Sequence, residues 1–174
     1  MAQEAAQVPP GSNGLIVLPY FYGERSPIND PEAKGVLFGL TGSHTRREIN
    51  RAALEAVAYS LGSHMRMFQN HGLTPENVII AGGGTKNPVW MQIAADVIGM
   101  PVQVAENWQT ASYGDACMAA IGCGLLQDFP ALKAAMPLSR PVAPNMENHR
   151  LYQRYLDIYE ELYSSTKDLM HRLP

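Results

Sequence analysis

Residues 77–104 read NVIIAGGGTKNPVWMQIAADVIGMPVQV, and this stretch decides the fold. Asn77 to Ala81 is a short apolar, β-branched run, three glycines follow, and Asn87-Pro88 opens a helix with Asn as N-cap and Pro at the first helical position. Trp90, Ile93, Ala94, Val97 and Ile98 give that helix a face to bury, Gly99 and Pro101 end it, and Val102 to Val104 reads as strand again. Strands alternating with helices from Asn77 onward predict an α/β domain with a partly parallel sheet.

Upstream, Gly14 to Phe21 is apolar and rich in β-formers and predicts a buried strand. A Pro/Gly/Asn-rich loop follows, and Val36 to Leu40 predicts a second strand. Thr45-Arg46-Arg47-Glu48 is a capping box that starts a helix. Ile49, Ala53, Val57, Leu61, Met65 and Phe68 recur every three or four positions and predict its buried face, with Asn70-His71-Gly72 as the stop. Downstream, Ser112 to Gly122 predicts a small-residue helix that can pack closely. Asn145 to Leu173 predicts a long terminal helix with Leu151, Tyr155, Ile158 or Tyr159, Leu162, Tyr163 and Met170 on one side. There is no internal repeat and no low-complexity segment.

The chain has 174 residues, 46% hydrophobic and 17% charged, enough apolar material for one buried core. Net charge is −3 and the thirteen Lys and Arg are scattered, so neither nucleic acid nor an anionic membrane is an expected partner. Cys117 and Cys123 form neither a CxxC pair nor a disulfide framework. No apolar run reaches the ~18 residues of a membrane span, and MAQEAAQVPP lacks the pattern of a secretory leader. A soluble protein of the reducing cytoplasm is the expectation.

The triplet Gly82-Gly83-Gly84 admits several mechanisms. A Walker loop needs G-x-x-x-x-G-K followed by Ser or Thr, but Lys86 is followed by Asn87 and the spacing differs. A Rossmann fingerprint needs a third glycine where Asn87 stands. Two readings remain open on the residues alone. In one, bare backbone and free amides at a helix N-terminus receive a nucleotide. In the other, the glycines only make a sharp turn.

The flanking segments add a resemblance. PYFYGERSPINDPEAKGVLFGLT (19–41), GVLFGLTGSHTRREINRAALEAVAY (35–59) and GGGTKNPVWMQIAADVIGMPV (82–102) resemble, in the same order, three motifs of the C-terminal domain of the FGGY family of carbohydrate kinases. The likeness runs from about Gly14 to the end, after a lead or linker over residues 1–13. The GERSP loop is closer to pentulose kinases of the xylulokinase type than to glycerol kinases.

The resemblance implies an actin-like ATPase (ribonuclease H-like) α/β domain, with a mixed sheet flanked by helices, over residues 14–174. It implies ATP and Mg2+ as cofactors, and transfer of the ATP γ-phosphoryl group to a hydroxyl of a ketopentose or related polyol. It assigns Gly82, Gly83 and Gly84 as backbone contacts to the nucleotide and turns the Asn87 side chain toward the adenine, though Asn87 can also be spent as an N-cap. It places no catalytic residue and no metal ligand in this chain: the catalytic aspartate, the first phosphate loop and most sugar contacts belong to an absent N-terminal domain, through which the sugar would bind. The chain alone is then inactive, and the faces that met the missing domain could associate as a homo-oligomer. The alternative is an actin-like nucleotide-binding or interaction module without phosphotransfer.

Other residues carry blander expectations. Glu24 and Arg25 either face the cleft or brace their loop as an ion pair, and Asp96 reads as a helix-surface or supporting acid. Asp115 departs from the Ala common in the family and stands near the nucleotide end or on solvent. The five histidines show no metal spacing, and Trp90 and the terminal tyrosines read as core.

Overall fold

The computed structural model describes residues 2–105, 111–135 and 138–174. Its axis is α2 (Arg46–Asn70), which starts where the capping box predicts. Thr45 Oγ1 accepts from the Arg47 amide at 3.2 Å, and Glu48 Oε2 accepts from the Thr45 amide at 2.8 Å. Hydrogen bonds from the Thr45 side chain and backbone hold the Glu48 carboxyl below its usual range. The helix stops at Gly72, whose φ of +73° suits a residue without a Cβ.

Two small sheets flank α2. β1 (Ile16–Leu18) pairs antiparallel with β2 (Val36–Phe38), Val17 opposite Leu37. β3 (Val78–Ile80) pairs parallel with β4 (Val102–Val104) across α3 (Pro88–Ile98), Ile79 opposite Gln103. The domain is therefore α/β with both strand directions present. Among the described residues the strands form two separate pairs, and β1, β2 and β3 are each shorter than the β-forming run that predicts them.

α6 (Met146–Met170) packs on α3 and α2 and starts at the cap Asn145. Gly62 allows the three helices to meet, since a Cβ there would lie 2.9 Å from a Val97 methyl and 3.0 Å from a Leu156 methyl. The main core joins Ile16, Leu18 and Tyr59 to Ile93, Val97, Tyr152, Leu156 and Tyr159. Ahead of β1, α1 (Ala2–Ala5) and the following turn lie against α2 and α3, with Ala5 and Val8 buried. No helix among the described residues is long and apolar enough to cross a membrane.

One expectation from periodicity is corrected in part. Of the stripe predicted to be the buried face of α2, Met65 is buried and Leu61 packs beside it, but Ile49, Val57 and Phe68 point outward, 39%, 47% and 37% exposed. The buried side instead carries Arg51, Ala52, Glu55, Ala56, Ala58, Tyr59 and Gly62, whose small residues and paired charges let α3 and α6 approach. On α6 the expected Tyr159, Leu162 and Met170 are buried and Leu151, Tyr155 and Tyr163 half-buried; Tyr152 and Leu156 join the core as well, and Ile158 is exposed. α4 (Ala111–Gly122) forms where the small-residue run predicts a helix, and among its described side chains only Cys117 is buried. α5 (Phe129–Ala135), which the apolar period did not predict, follows it.

Candidate functional site at the glycine turn

β3 ends at Ile80, and the chain turns through Gly82 and a 3-10 segment, Gly83–Lys86, into α3. Gly82 has φ +105° and ψ −180°, a conformation that side chains rarely adopt. The turn is tied to itself, with Thr85 Oγ1 donating to the Gly82 carbonyl at 2.7 Å and the Asn87 amide donating to the Gly84 carbonyl at 3.0 Å. Trp90 forms its floor, since a Cβ on Gly84 would stand 3.3 Å from the indole ring. A Cβ on Gly82 or Gly83 would meet nothing within 4 Å among the described residues. The outer side of the turn is thus bare backbone at a helix N-terminus, where amides and the helix dipole favour an anionic or strongly accepting ligand.

Asn87 serves as the N-cap. Its Oδ1 accepts from the amides of Val89 and Trp90 at 3.1 and 3.3 Å, while its Nδ2 makes no hydrogen bond among the described residues. The three glycines and Asn87 therefore sit together on one turn. Trp90, read as core, is both core and the support of this turn.

Asp96 is buried rather than on the helix surface. Its carboxylate accepts from Gln92 Nε2, the Asn145 amide and Asn148 Nδ2 at 2.7 to 2.8 Å. It locks α3, and with it the glycine turn, to the start of α6. Sequence reading missed this because its partners lie 49 and 52 residues away.

Glu24 and Arg25 do not form the expected ion pair. Glu24 Oε1 instead accepts from the amides of Arg25 and Ser26 at 2.9 and 3.4 Å. Asp115 is exposed. The histidines serve structure: His64 Nε2 meets Ser26 Oγ at 2.8 Å, His149 Nδ1 meets the Asp96 carbonyl at 2.9 Å, and His171 Nε2 meets Asp30 Oδ2 at 2.7 Å. Among the described residues, no three His, Cys, Asp or Glu side chains are grouped to hold a metal.

Two buried charge networks gave no sequence signal. Glu55 is fully buried and accepts from Arg51 Nε, Ser12 Oγ, the Gly11 amide and the Tyr152 hydroxyl. Asp30 is shut from solvent and accepts from Tyr163 and His171. Burial alone would raise its pKa, but these hydrogen bonds prevail and bring it to about 2.

Comparison with known proteins bears on the family and the fold. Residues 1–123 match the model of the FGGY family of carbohydrate kinases, C-terminal domain. The chain is 33% identical to the xylulose kinase of Staphylococcus epidermidis over 166 residues, covering 95% of this chain and 34% of that protein. It is 34% identical to the xylulose kinase of Bacillus subtilis over 172 residues, 97% of this chain and 34% of that protein. The solved xylulose kinase of Rhodospirillum rubrum superposes with a TM-score of 0.83 at 36% identity, over 98% of this chain and 34% of that one. The fold is thus that of the actin-like sugar kinases, and the chain spans about a third of the length of the relatives it matches. This chain belongs to the FGGY family of carbohydrate kinases, matched at that family's C-terminal domain.

Proposed function

We propose that this chain is the nucleotide-holding part of a sugar kinase that transfers the γ-phosphoryl group of ATP to a hydroxyl of a ketopentose or related polyol. The observation that carries this reading is the open backbone of Gly82 and Gly83 at the head of α3, where no side chain among the described residues stands between a ligand and the amides. Family membership and the xylulose kinases among the relatives support the substrate class.

In this reading Gly82, Gly83 and Gly84 lie against the adenosine and its first phosphate. Asn87 holds the helix end with Oδ1 and offers Nδ2 to the base. Thr85 and Trp90 keep the turn rigid, so that little ordering entropy is lost on binding. Phosphoryl transfer also needs positioned outer phosphates, magnesium and a base for the acceptor hydroxyl. None of these roles is assigned to a residue of this chain. They fall to the two-thirds of a family kinase that it does not span, and the 174 residues by themselves hold nucleotide without turnover.

The test is a titration of ADP into the 174-residue chain, followed by amide NMR, with Gly83→Val alongside. Gly83 has room for a side chain and no positive φ, so the variant should fold normally while its added methyls cover the bare backbone. Saturable shifts at residues 82–87, weakened at least about tenfold by Gly83→Val, are expected, corresponding to roughly 1.4 kcal/mol. Shifts that ignore this substitution, or none at millimolar ADP, would overturn the reading.

A further inference from the structure

α2, α6 and the loop after β1 enclose a cleft of about 300 Å3 that no residue of the glycine turn lines. Its apolar wall is made by Met67 of α2, Tyr163 of α6, and Pro27 and Ile28 of the loop. That loop is fastened to both helices: Ser26 Oγ meets His64 Nε2 of α2 at 2.8 Å, and the Tyr163 hydroxyl of α6 donates to Asp30 Oδ2 at 2.8 Å. The cleft is therefore walled before any ligand arrives. Its volume is at the small end of the range for ligand sites, which limits the occupant to a single ring.

The charged side chains of the cleft are already spent. Arg66 bonds Asp157 and Glu160 through Nη1 and the carbonyl and side chain of Gln153 through Nη2, while the other Glu160 oxygen accepts from Ser63 Oγ. An ion would find no free counter-charge in this pair, so the occupant is neutral. Several uncharged polar groups are unspent. The Tyr159 hydroxyl is out of solvent and lies beside the Tyr20 hydroxyl, yet the two do not meet in hydrogen-bonding geometry, and Tyr159 has no other partner among the described residues. Edge-on packing of the Tyr20 ring against Tyr159 and Tyr163, with centroids 6.2 and 5.8 Å apart, holds both hydroxyls in place. Ser60 Oγ and the Asn70 side chain, both on α2, also make no hydrogen bond among the described residues. A buried hydroxyl left unmatched is costly, and a ligand hydroxyl that reaches it relieves that cost.

We propose that this cleft binds a monosaccharide in its ring form, at a site separate from the glycine turn and from the sugar contacts that the proposed function gives to the unspanned part of the kinase. Hydroxyl and amide side chains both donate and accept, as sugar hydroxyls do. Here they come from the loop after β1, from α2 and from α6, and they surround one ring-sized space beside an apolar wall. That arrangement calls for hydroxyls around the rim of a ring and C–H groups on its face. A phenol offers a single hydroxyl, and an open-chain polyol has no rigid face. By touching Tyr20, Ser60 and Tyr159 together, the sugar ties the loop to both helices.

The test titrates D-xylose and D-glucose into the 174-residue chain without nucleotide, with xylitol and phenol as contrasts. At least one of the two sugars is expected to give saturable amide NMR shifts at Tyr20, Ile28, Ser60 and Tyr159, and to slow amide exchange in the loop at residues 28–30. Xylitol should bind at least about tenfold more weakly, because an open chain loses more freedom on binding. Tyr159→Phe keeps the ring and removes the unmatched hydroxyl, so it should weaken sugar binding about threefold to tenfold while the thermal midpoint of the sugar-free chain holds or rises. Asn70→Ala, at an exposed position, should also weaken binding and leave the far-UV spectrum unchanged. The proposal is overturned if neither sugar gives saturable shifts in this cleft, if xylitol or phenol binds as well as the sugars, or if either substituted chain binds sugar as the original does. Because no nucleotide is present and the glycine turn is unaltered, a failure here leaves the ADP titration standing, and a failed titration leaves this result standing.

Discussion

The guanidinium of Arg51 meets the carboxylate of Glu55 at 2.7 Å, one helical turn apart and out of solvent. The pair also binds chain that is distant in sequence. Arg51 donates to the Ala5 carbonyl and the Tyr152 hydroxyl, and Glu55 accepts from Gly11 and Ser12. α2 is thereby tied to the first dozen residues and to α6. Removing one member leaves the other charge buried without its partner, so Glu55→Ala or Arg51→Ala should cost about 3–5 kcal/mol, read as the drop in urea unfolding free energy. A loss below about 1 kcal/mol would mean the network is solvated.

Asp30 predicts an acid limb to stability. Its carboxyl titrates near 3.8 when unperturbed and at about 2 in the folded chain, so the unfolded state binds the proton first as pH falls. The contribution is full above about pH 4 and drains away toward pH 2. In Asp30→Asn, the urea midpoint should fall at neutral pH and decline less steeply between about pH 4 and pH 2 than in the unsubstituted chain.

Asn87 separates a cap from a ligand contact. Asn87→Ala removes the acceptor for Val89 and Trp90 and should cost about 1 kcal/mol of stability together with ADP affinity. Asn87→Asp keeps the acceptor and loses the Nδ2 donor, so it should retain stability while binding ADP more weakly. Equal ADP binding by the Asp variant and the original chain would confine Asn87 to capping.

Gly62 reports the packing of three helices. Alanine gains up to ~1 kcal/mol of helix propensity, but its methyl would stand 2.9 Å from the stiff, buried Val97 side chain, so the displacement this forces offsets the gain and the net change should be small. Gly62→Leu has no room and should cost about 1–3 kcal/mol by overpacking, measured as a lowered thermal midpoint.

Much of the local structure was legible because its causes lie within four residues. The Thr45–Glu48 box, the Asn87-Pro88 and Asn145 caps, and the stop at Gly72 are interactions of neighbours, and each stands where its letters predict. The turn of the candidate site was legible in the same way: Gly82 to Gly84 and Asn87 share it, and glycine suits the φ of Gly82. The family followed from three ordered motifs. What the sequence could not decide is which side of a helix finds a partner. Ile49, Val57 and Phe68 keep a faultless period and still face outward, because α3 and α6 close on the side carrying Gly62, Ala58 and the Arg51–Glu55 pair. Asp96 reaching Asn148, and Asp30 reaching Tyr163 and His171, depend on segments brought together from 52 to 141 residues apart. Strand length belongs to the same class, since a β-forming run extends only as far as another strand is there to accept its hydrogen bonds.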